Sequence, residues 1–109
     1  MPHKALWAMP FSSSGGVHTH AIQESRRTIR LEIHDQSGEQ TDLKLVFDDV
    51  QAYKCTYLPA LEAEMSDFYD KLVACPASRL GVTSKRHNCY VICFDDGPCY
   101  EIVASSFEA

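Results

Sequence analysis

The chain has 109 residues, of which 45% are apolar and 23% charged, and its formal net charge at pH 7 is −5. This composition is ordinary for one globular domain. No apolar run approaches the roughly 20 residues of a membrane span, and the acidic balance argues against nucleic acid as a partner.

Residues 1–16 are predicted to be a flexible N-terminal segment before a single domain over residues 17–109. Pro10 and the Ser/Gly run at 12–16 interrupt the apolar residues too early for a secretory signal. Five cysteines without such a signal are typical of reduced thiols, so we expect a cytoplasmic protein. On one strand, Cys89 and Cys93 would lie about 13 Å apart, too far to share a disulfide or a metal ion. We expect them to be small buried hydrophobes.

The first half of the domain predicts four strands. Residues 17–24 form a weaker candidate, whereas residues 26–35 and 41–47 alternate clearly between apolar and polar side chains. Residues 50–57 are predicted to return after a tight turn at Asp48-Asp49. Matching the apolar faces of the second and third strands gives the pairs Ile33–Leu43, Leu31–Leu45 and Ile29–Phe47, centred on Gly38.

A helix is predicted over residues 59–76. Pro59 suits the first turn of a helix, and Pro76 would end it. Ser66-Asp67 offers a second cap, so an alternative is that the helix begins or breaks there. The apolar residues between them fall at helical spacing, at Leu61, Met65, Phe68 and Leu72.

The last two strands, residues 89–94 and 99–104, flank an Asp-Gly turn signal at 95–98. Pairing Phe94 with Cys99 places Glu101 opposite Ile92 and makes both faces of the hairpin apolar, so we expect a central position. The predicted fold class is α+β: an antiparallel sheet of about six strands with one helix on one face, in the order β-β-β-β-α-β-β. The segment of Trp7, Met9 and Phe11, or a partner chain, would shield the other face.

Candidate chemistry is sparse. His18 and His20 share a strand face and, with His34, offer nitrogens that zinc accepts, although exposed polar residues are the preferred interpretation. Glu101 among apolar neighbours is a candidate general acid, unless it reaches solvent or pairs with Lys54 or an arginine. No Ser-His-Asp or Cys-His arrangement and no phosphate-binding glycine loop is legible from the spacing. We therefore expect no catalytic residue, metal or cofactor.

Charge distribution is the most informative feature. Bases cluster at 26–30 and 79–87, whereas acids dominate residues 48–70 and the 95–96 turn. Such acids either form a solvated surface or form a patch that attracts a basic partner. The predicted patch comprises Asp48, Asp49, Glu62, Asp67, Asp70, Asp95 and Asp96, with Tyr53 and Tyr69 as aromatic anchors.

Three stretches carry a family resemblance: LKLVFDDV at 43–50, QAYKCTYL at 51–58 and YVICFDDGPCYEIVA at 90–104. Over residues 18–104 they resemble small bacterial domains, some of which are similar to immunity proteins of polymorphic toxin systems. The shared features are the step from Phe47 to Val50 and the terminal strand Glu101-Ile102-Val103. The resemblance implies a non-enzymatic, cytoplasmic protein that binds a toxin.

The predicted function is accordingly a small non-enzymatic binding protein, in the specific form of an immunity-type inhibitor that occludes a basic toxin surface through the acidic patch. The alternative is a self-associating structural or regulatory module, a homodimer formed through the second apolar sheet face or an edge strand. A third interpretation is an enzyme or metal protein centred on Glu101 or the histidine pair.

Overall fold

The computed structural model describes residues 5–10, 17–35, 43–57, 68–94 and 98–109. Within these ranges the strands are β1 (Ala5–Ala8), β2 (Val17–Ser25), β3 (Thr28–Asp35), β4 (Leu43–Asp48), β5 (Ala52–Tyr57), β6 (Lys71–Pro76), β7 (Asn88–Cys93), β8 (Pro98–Ala104) and β9 (Ser106–Glu108). A 3₁₀-helix spans Ala77–Leu80. No helix in these ranges is long and apolar enough to cross a membrane.

The strands form two antiparallel sheets. The five-stranded sheet has the order β1-β6-β7-β8-β5, and the four-stranded sheet has the order β2-β3-β4-β9. Alternating side chains of both sheets meet in one buried core, as in a β-sandwich. Rings cross the interface between the sheets: the centroid of Phe47 on β4 lies 5.7 Å from that of Tyr90 on β7, and the centroid of Phe107 on β9 lies 5.4 Å from that of Tyr90.

The five-stranded sheet is also buried on its outer face. A second cluster there joins Val73, Cys75, Cys89, Val91, Cys93, Cys99 and Val103 to Phe68 and Ala77. Phe68 and the 3₁₀-helix therefore supply the cover that the sequence assigned to an α-helix. Strands buried on both faces are apolar in nearly every position, which explains the continuous apolar runs of β7 and β8.

The predicted α+β class is wrong, because the described residues are nearly all β. The second half of the predicted helix is β6, which lies between β1 and β7. Phe68 and Leu72, neighbours on the predicted helical stripe, belong to different core clusters. Asp70 between them has a φ of 59°, which an α-helix does not accommodate. Residues 58–67, with Leu61 and Met65, lie outside the described residues.

The register predicted for the second and third strands is confirmed by β3 and β4, which pair Ile33 with Leu43, Leu31 with Leu45 and Ile29 with Phe47. The tip at Gly38 lies outside the described residues. The return strand exists as β5, but it pairs with β8 rather than extending the sheet of β4. The single predicted sheet is wrong for this reason: the chain crosses between two sheets at residues 49–51.

The central position of the last two strands is confirmed, but their predicted register is wrong by one residue. Cys93, not Phe94, pairs with Cys99, and Glu101 lies opposite Val91 rather than Ile92. The Phe94 N–H donates a hydrogen bond to the Pro98 carbonyl oxygen at 3.2 Å. The hairpin therefore continues one residue beyond the pair of Cys93 and Cys99 toward the turn. Cys93 and Cys99 form a disulfide, so the expectation of reduced thiols is wrong for these two residues.

The N-terminal segment contributes to the fold within the part that the structure describes. Ala5–Ala8 form β1, which pairs with β6 at the edge of the five-stranded sheet. Trp7 and Met9 pack against the core between the sheets, which agrees with the expectation that this segment shields apolar surface. Phe11 lies outside the described residues.

Candidate functional site

The three described acids of the predicted patch, Asp48, Asp49 and Asp70, lie at two ends of the sandwich. Asp48 and Asp49 follow β4, where the carbonyl oxygen of Asp48 accepts the Ser105 N–H at 3.0 Å. The Asp70 N–H instead donates to the Cys93 carbonyl at 2.8 Å. Ser105 follows the β8 residue that pairs with Asn88, the first residue of β7. Cys93 is the last residue of β7, about 17 Å from Asn88. The structure thus brings Asp48 to Asp49 but not to Asp70.

The other predicted contact residues divide in the same way. Tyr69 bridges to Cys93 and is half-buried at the Asp70 end, where one carboxylate oxygen of Asp70 is buried from solvent. Tyr53 lies on β5 and is 44% exposed. Four predicted acids, Glu62, Asp67, Asp95 and Asp96, lie outside the described residues.

Asp49 is the centre of a polar network. It adopts a φ of 55°, a conformation that aspartate tolerates better than most residues. Its carboxylate lies 2.9 Å from His87 Nε2, and it accepts hydrogen bonds from Gln51 Nε2 at 3.0 Å and Arg27 Nη1 at 3.4 Å. The hydrogen bond to His87 is the main cause that lowers the pKa of Asp49 below its usual 3.8, with help from Gln51 and the charges of His87 and Arg27 and against the opposing effect of burial.

The network continues to Ser84, whose hydroxyl lies 2.5 Å from His87 Nδ1. This chain has the nucleophile–base–acid order of a hydrolase triad, which the sequence spacing did not reveal. Ser84 Oγ, however, also accepts the Arg86 N–H at 3.2 Å, as a serine does in a local turn. Neither the 3.6-residue period of a helix nor the 2-residue period of a strand links Asp49 to His87, because 38 residues of chain separate them, so only the tertiary fold brings them together.

The Asp49 network has a structural role. We use this name for Arg27, Asp49, Gln51, Ser84 and His87. It ties together three connections: the β2–β3 turn, the crossing from β4 to β5 and the loop before β7. The Val50 N–H adds a backbone bond of 2.8 Å to the Arg27 carbonyl. The His87 side chain is only 8% exposed, whereas Asp49 is 31% exposed, so the network is buried at His87 and open to solvent on the Arg27 side.

Beside this network is a cleft of about 230 Å³. Its lining comes from the β2–β3 turn with its flanking residues and from residues 50–53, which lead into β5. Among the described strands, β2 and β5 are edge strands of their sheets, and the Thr19 hydroxyl on β2 forms a hydrogen bond of 2.8 Å with the Tyr100 hydroxyl on β8. We call this region the open corner. Its defining residues are Gln23, Arg26, Arg27, Ile29, Val50 and Tyr53.

Tyr53 forms one wall of the open corner. It pairs with Ile102 across the strands and therefore belongs to the face of β5 that looks toward the core. Its ring centroid lies 6.3 Å from that of Tyr100. An aromatic side chain fixed at its base and exposed at its outer edge is suited to contact another molecule.

Glu101, the candidate general acid, forms an ion pair with an arginine, which is one of the alternatives that the sequence left open. It is 5% exposed, and its Oε1 lies 2.5 Å from Arg79 Nε. The Arg79 guanidinium in turn lies 5.5 Å from the centre of the Phe68 ring. This arrangement is an ion pair beneath the cover of the sheet.

The three histidines lie together on the exposed face of the four-stranded sheet. His18 pairs with His34, and His20 with Glu32, across β2 and β3. The rings of His20 and His34 are 5.7 Å apart between centroids, and His34 Nε2 lies 3.4 Å from Glu32. No group of three or more His, Cys, Asp or Glu side chains in the described part of the chain is arranged to hold a metal ion.

The open corner and the Asp49 network therefore form the candidate site, since they combine an exposed aromatic residue, two arginines and a rigid support. Comparisons of this chain with protein-family models, with curated proteins and with solved structures found no match.

Proposed function

We propose that this chain is a non-enzymatic binding protein that holds a protein partner at the open corner. The observation that carries the proposal is the exposure of Tyr53, 44%, beside a cleft at which both sheets end in edge strands. Tyrosine and arginine are the residues that most often dominate binding energy at protein interfaces. Edge strands add unpaired backbone groups that a partner chain can engage.

The specific form we propose is an immunity-type inhibitor whose partner is a toxin domain. The resemblance of residues 18–104 to such domains supports this form. The contact surface we propose centres on Tyr53 rather than on the predicted acids, because Asp49 is engaged within the fold and Asp70 lies at the other end of the sandwich. Asp48 and Glu24 are exposed acids that adjoin this surface in the chain.

The proposed compartment is the cytoplasm, and it has a consequence for the disulfide. Disulfides in reducing compartments are usually transient, so Cys93 and Cys99 would spend part of their time as thiols there. Their cross-strand pairing and the surrounding apolar cluster keep them together in either state.

Self-association is the second candidate, but one of its two routes lacks support. The outer face of the five-stranded sheet is already covered by Phe68, Ala77 and their neighbours. Pairing of two chains through an edge strand is the remaining route, for which the described sheets offer β1, β2, β5 and β9, and it is an outcome that the following experiment distinguishes.

The test is co-expression in one cell with a secreted-toxin domain encoded beside the gene for this chain. We expect the protein to restore growth and to co-purify with the toxin domain as a complex of defined mass by light scattering. Tyr53→Ala should abolish protection, whereas Leu6→Ala should not. Leu6 is the matched control because it is equally exposed, 44%, on the opposite edge of the same sheet. Failure of the protein to protect, or a homodimer in place of the complex, would overturn the proposal.

A further inference from the structure

Two arginines occupy the open corner of a protein that is acidic overall. The net charge is −5, yet Arg26 is exposed and the Arg27 side chain is 69% exposed. Arg27 touches Asp49 at 3.4 Å, but the same carboxylate also engages His87 and Gln51. The exposed guanidinium groups are therefore available to a carboxylate other than that of Asp49. Arginine can bind such a group through two parallel N–H donors.

The second feature of the corner is the outer edge of β5. Among the described strands, β5 pairs with β8 alone and ends the five-stranded sheet. Exposed side chains line it at Gln51, Tyr53, Lys54 and Cys55. An extended segment of another chain can continue a sheet at such an edge through main-chain hydrogen bonds.

These features combine in one geometry. In an added strand, alternate side chains point to the same face as Tyr53, toward the space between the sheets. Tyr53 lines the cleft at this place, and Arg26 and Arg27 line the same cleft. A side chain next to Tyr53 on the added strand would thus approach the two arginines.

We propose that the partner enters as an extended acidic segment, which pairs with β5 and sets a carboxylate side chain against Arg26 and Arg27. This inference rests on the proposed function, since it names the kind of partner that the open corner takes. Tyr53 packs on the segment, and the Asp49 network holds Arg27 in position.

A second copy of this chain fits the corner less well. The strand β5 reads Ala-Tyr-Lys-Cys-Thr-Tyr, so a second β5 would bring a lysine and no carboxylate to the arginines. A nucleic acid would also meet Arg26 and Arg27, but its affinity depends on many phosphate contacts, and the cleft lining supplies two bases, which suits a single carboxylate better than a phosphate backbone.

The experiment uses two peptides of about eight residues, the usual length of a strand. Both peptides alternate Val and Thr. Two residues on one face are replaced by Glu in the first peptide and by Lys in the second. Binding is followed by NMR titration of the full chain. We expect the Glu peptide to bind about tenfold more tightly, to shift the β5 amides and to weaken with added salt.

Charge reversal supplies the control. Arg26→Glu with Arg27→Glu should reverse the preference, so that the Lys peptide binds more tightly. Lys44→Glu with Lys71→Glu makes the same change in net charge at exposed sites away from the corner, and should leave the preference intact. Equal binding of both peptides, or tighter binding of a single-stranded oligonucleotide, would overturn the acidic segment while leaving docking at Tyr53 intact. If Tyr53→Ala altered the binding of neither peptide, docking at the corner would fail as well.

Discussion

Arg79 and Glu101 form an ion pair of 2.5 Å on the outer face of the five-stranded sheet, with the carboxylate side chain only 6% exposed. Phe68 covers the arginine, so the pair joins the 3₁₀-helix and the segment before β6 to the middle of the sheet. The acid that looked catalytic in the sequence thus anchors the cover of an apolar face.

Removal of Arg79 should therefore be costly. We expect Arg79→Ala to lower the free energy of unfolding by about 3 kcal/mol, because it leaves Glu101 buried without its partner. Urea unfolding measures the change. Arg86→Ala, at an exposed loop position, should change stability by less than about 0.5 kcal/mol.

A double replacement, which removes both charges, also tests the ion pair of Arg79 and Glu101. Arg79→Met with Glu101→Leu removes both charges and keeps apolar volume, so it should destabilise the fold less than Arg79→Ala alone. A double variant that is less stable than the single variant would show that the pair is itself the source of the stability.

The Asp49 network should make stability depend on acid. Because the folded-state pKa of Asp49 lies below its usual 3.8, the native state binds the proton less readily than the unfolded state does. The stabilisation is complete above the unfolded pKa and is lost as the pH falls through the folded pKa. Between about pH 5 and about pH 2, the urea midpoint of Asp49→Asn should fall less than that of the unaltered protein.

Carboxyl NMR titration checks the cause directly. The pKa of Asp49 should rise in His87→Ala, because the hydrogen bond to His87 is the main cause of the lowering. It should rise less in Gln51→Ala, which removes a lesser contribution. An Asp49 pKa that is the same in all three proteins would contradict the network as described.

The three free cysteines should react at very different rates. Cys55 is exposed, whereas Cys75 and Cys89 are buried, and desolvation, with a contribution from nearby Glu101 and Cys75, raises the pKa of Cys89 to about 12. Since the thiolate is the reactive form, alkylation of the native protein should be fast at Cys55 alone. Mass spectrometry should count three modified cysteines after unfolding without reductant and five after reduction. Fast modification of Cys89 in the native protein would contradict the burial of the outer face.

The disulfide should contribute modestly to stability, because it closes a short loop of sequence separation 6. Loop-closure entropy gives about 2 kcal/mol for a loop of this size. Cys93→Ala with Cys99→Ala should lose about this amount relative to the oxidised protein, and much of the difference should vanish when both are unfolded in reductant. Equal stability with and without reductant would contradict a stabilising contribution from this disulfide.

Local pattern was sufficient for the pairing of β3 with β4. Ile29, Leu31 and Ile33 alternate with polar residues and face Leu43, Leu45 and Phe47, and a strand buried on one face has one register that keeps those side chains together. The continuous apolar runs of β7 and β8 likewise showed that these strands are central.

The same reasoning failed where two patterns coincide. Phe68 and Leu72 are four residues apart, which suits a helix, yet their side chains are buried on opposite faces of the five-stranded sheet. The candidate site was equally hidden: Asp49 meets His87 across 38 residues, and Tyr53 meets Arg26 and Arg27 in the cleft only because β2 and β5 are edge strands on the same side.

The amino-acid sequence by itself determined six of the nine described strands, β2 to β5, β7 and β8, and showed that β7 and β8 are central, because these features depend on alternation within a few neighbouring residues. It did not reveal β1, β6 or β9. Only the tertiary structure decided that the strands divide into two sheets, that Cys93 pairs with Cys99, and that Arg27, Asp49 and His87 meet. Those contacts join residues far apart in the chain, and their partners are selected by the packing of whole sheets rather than by any local period.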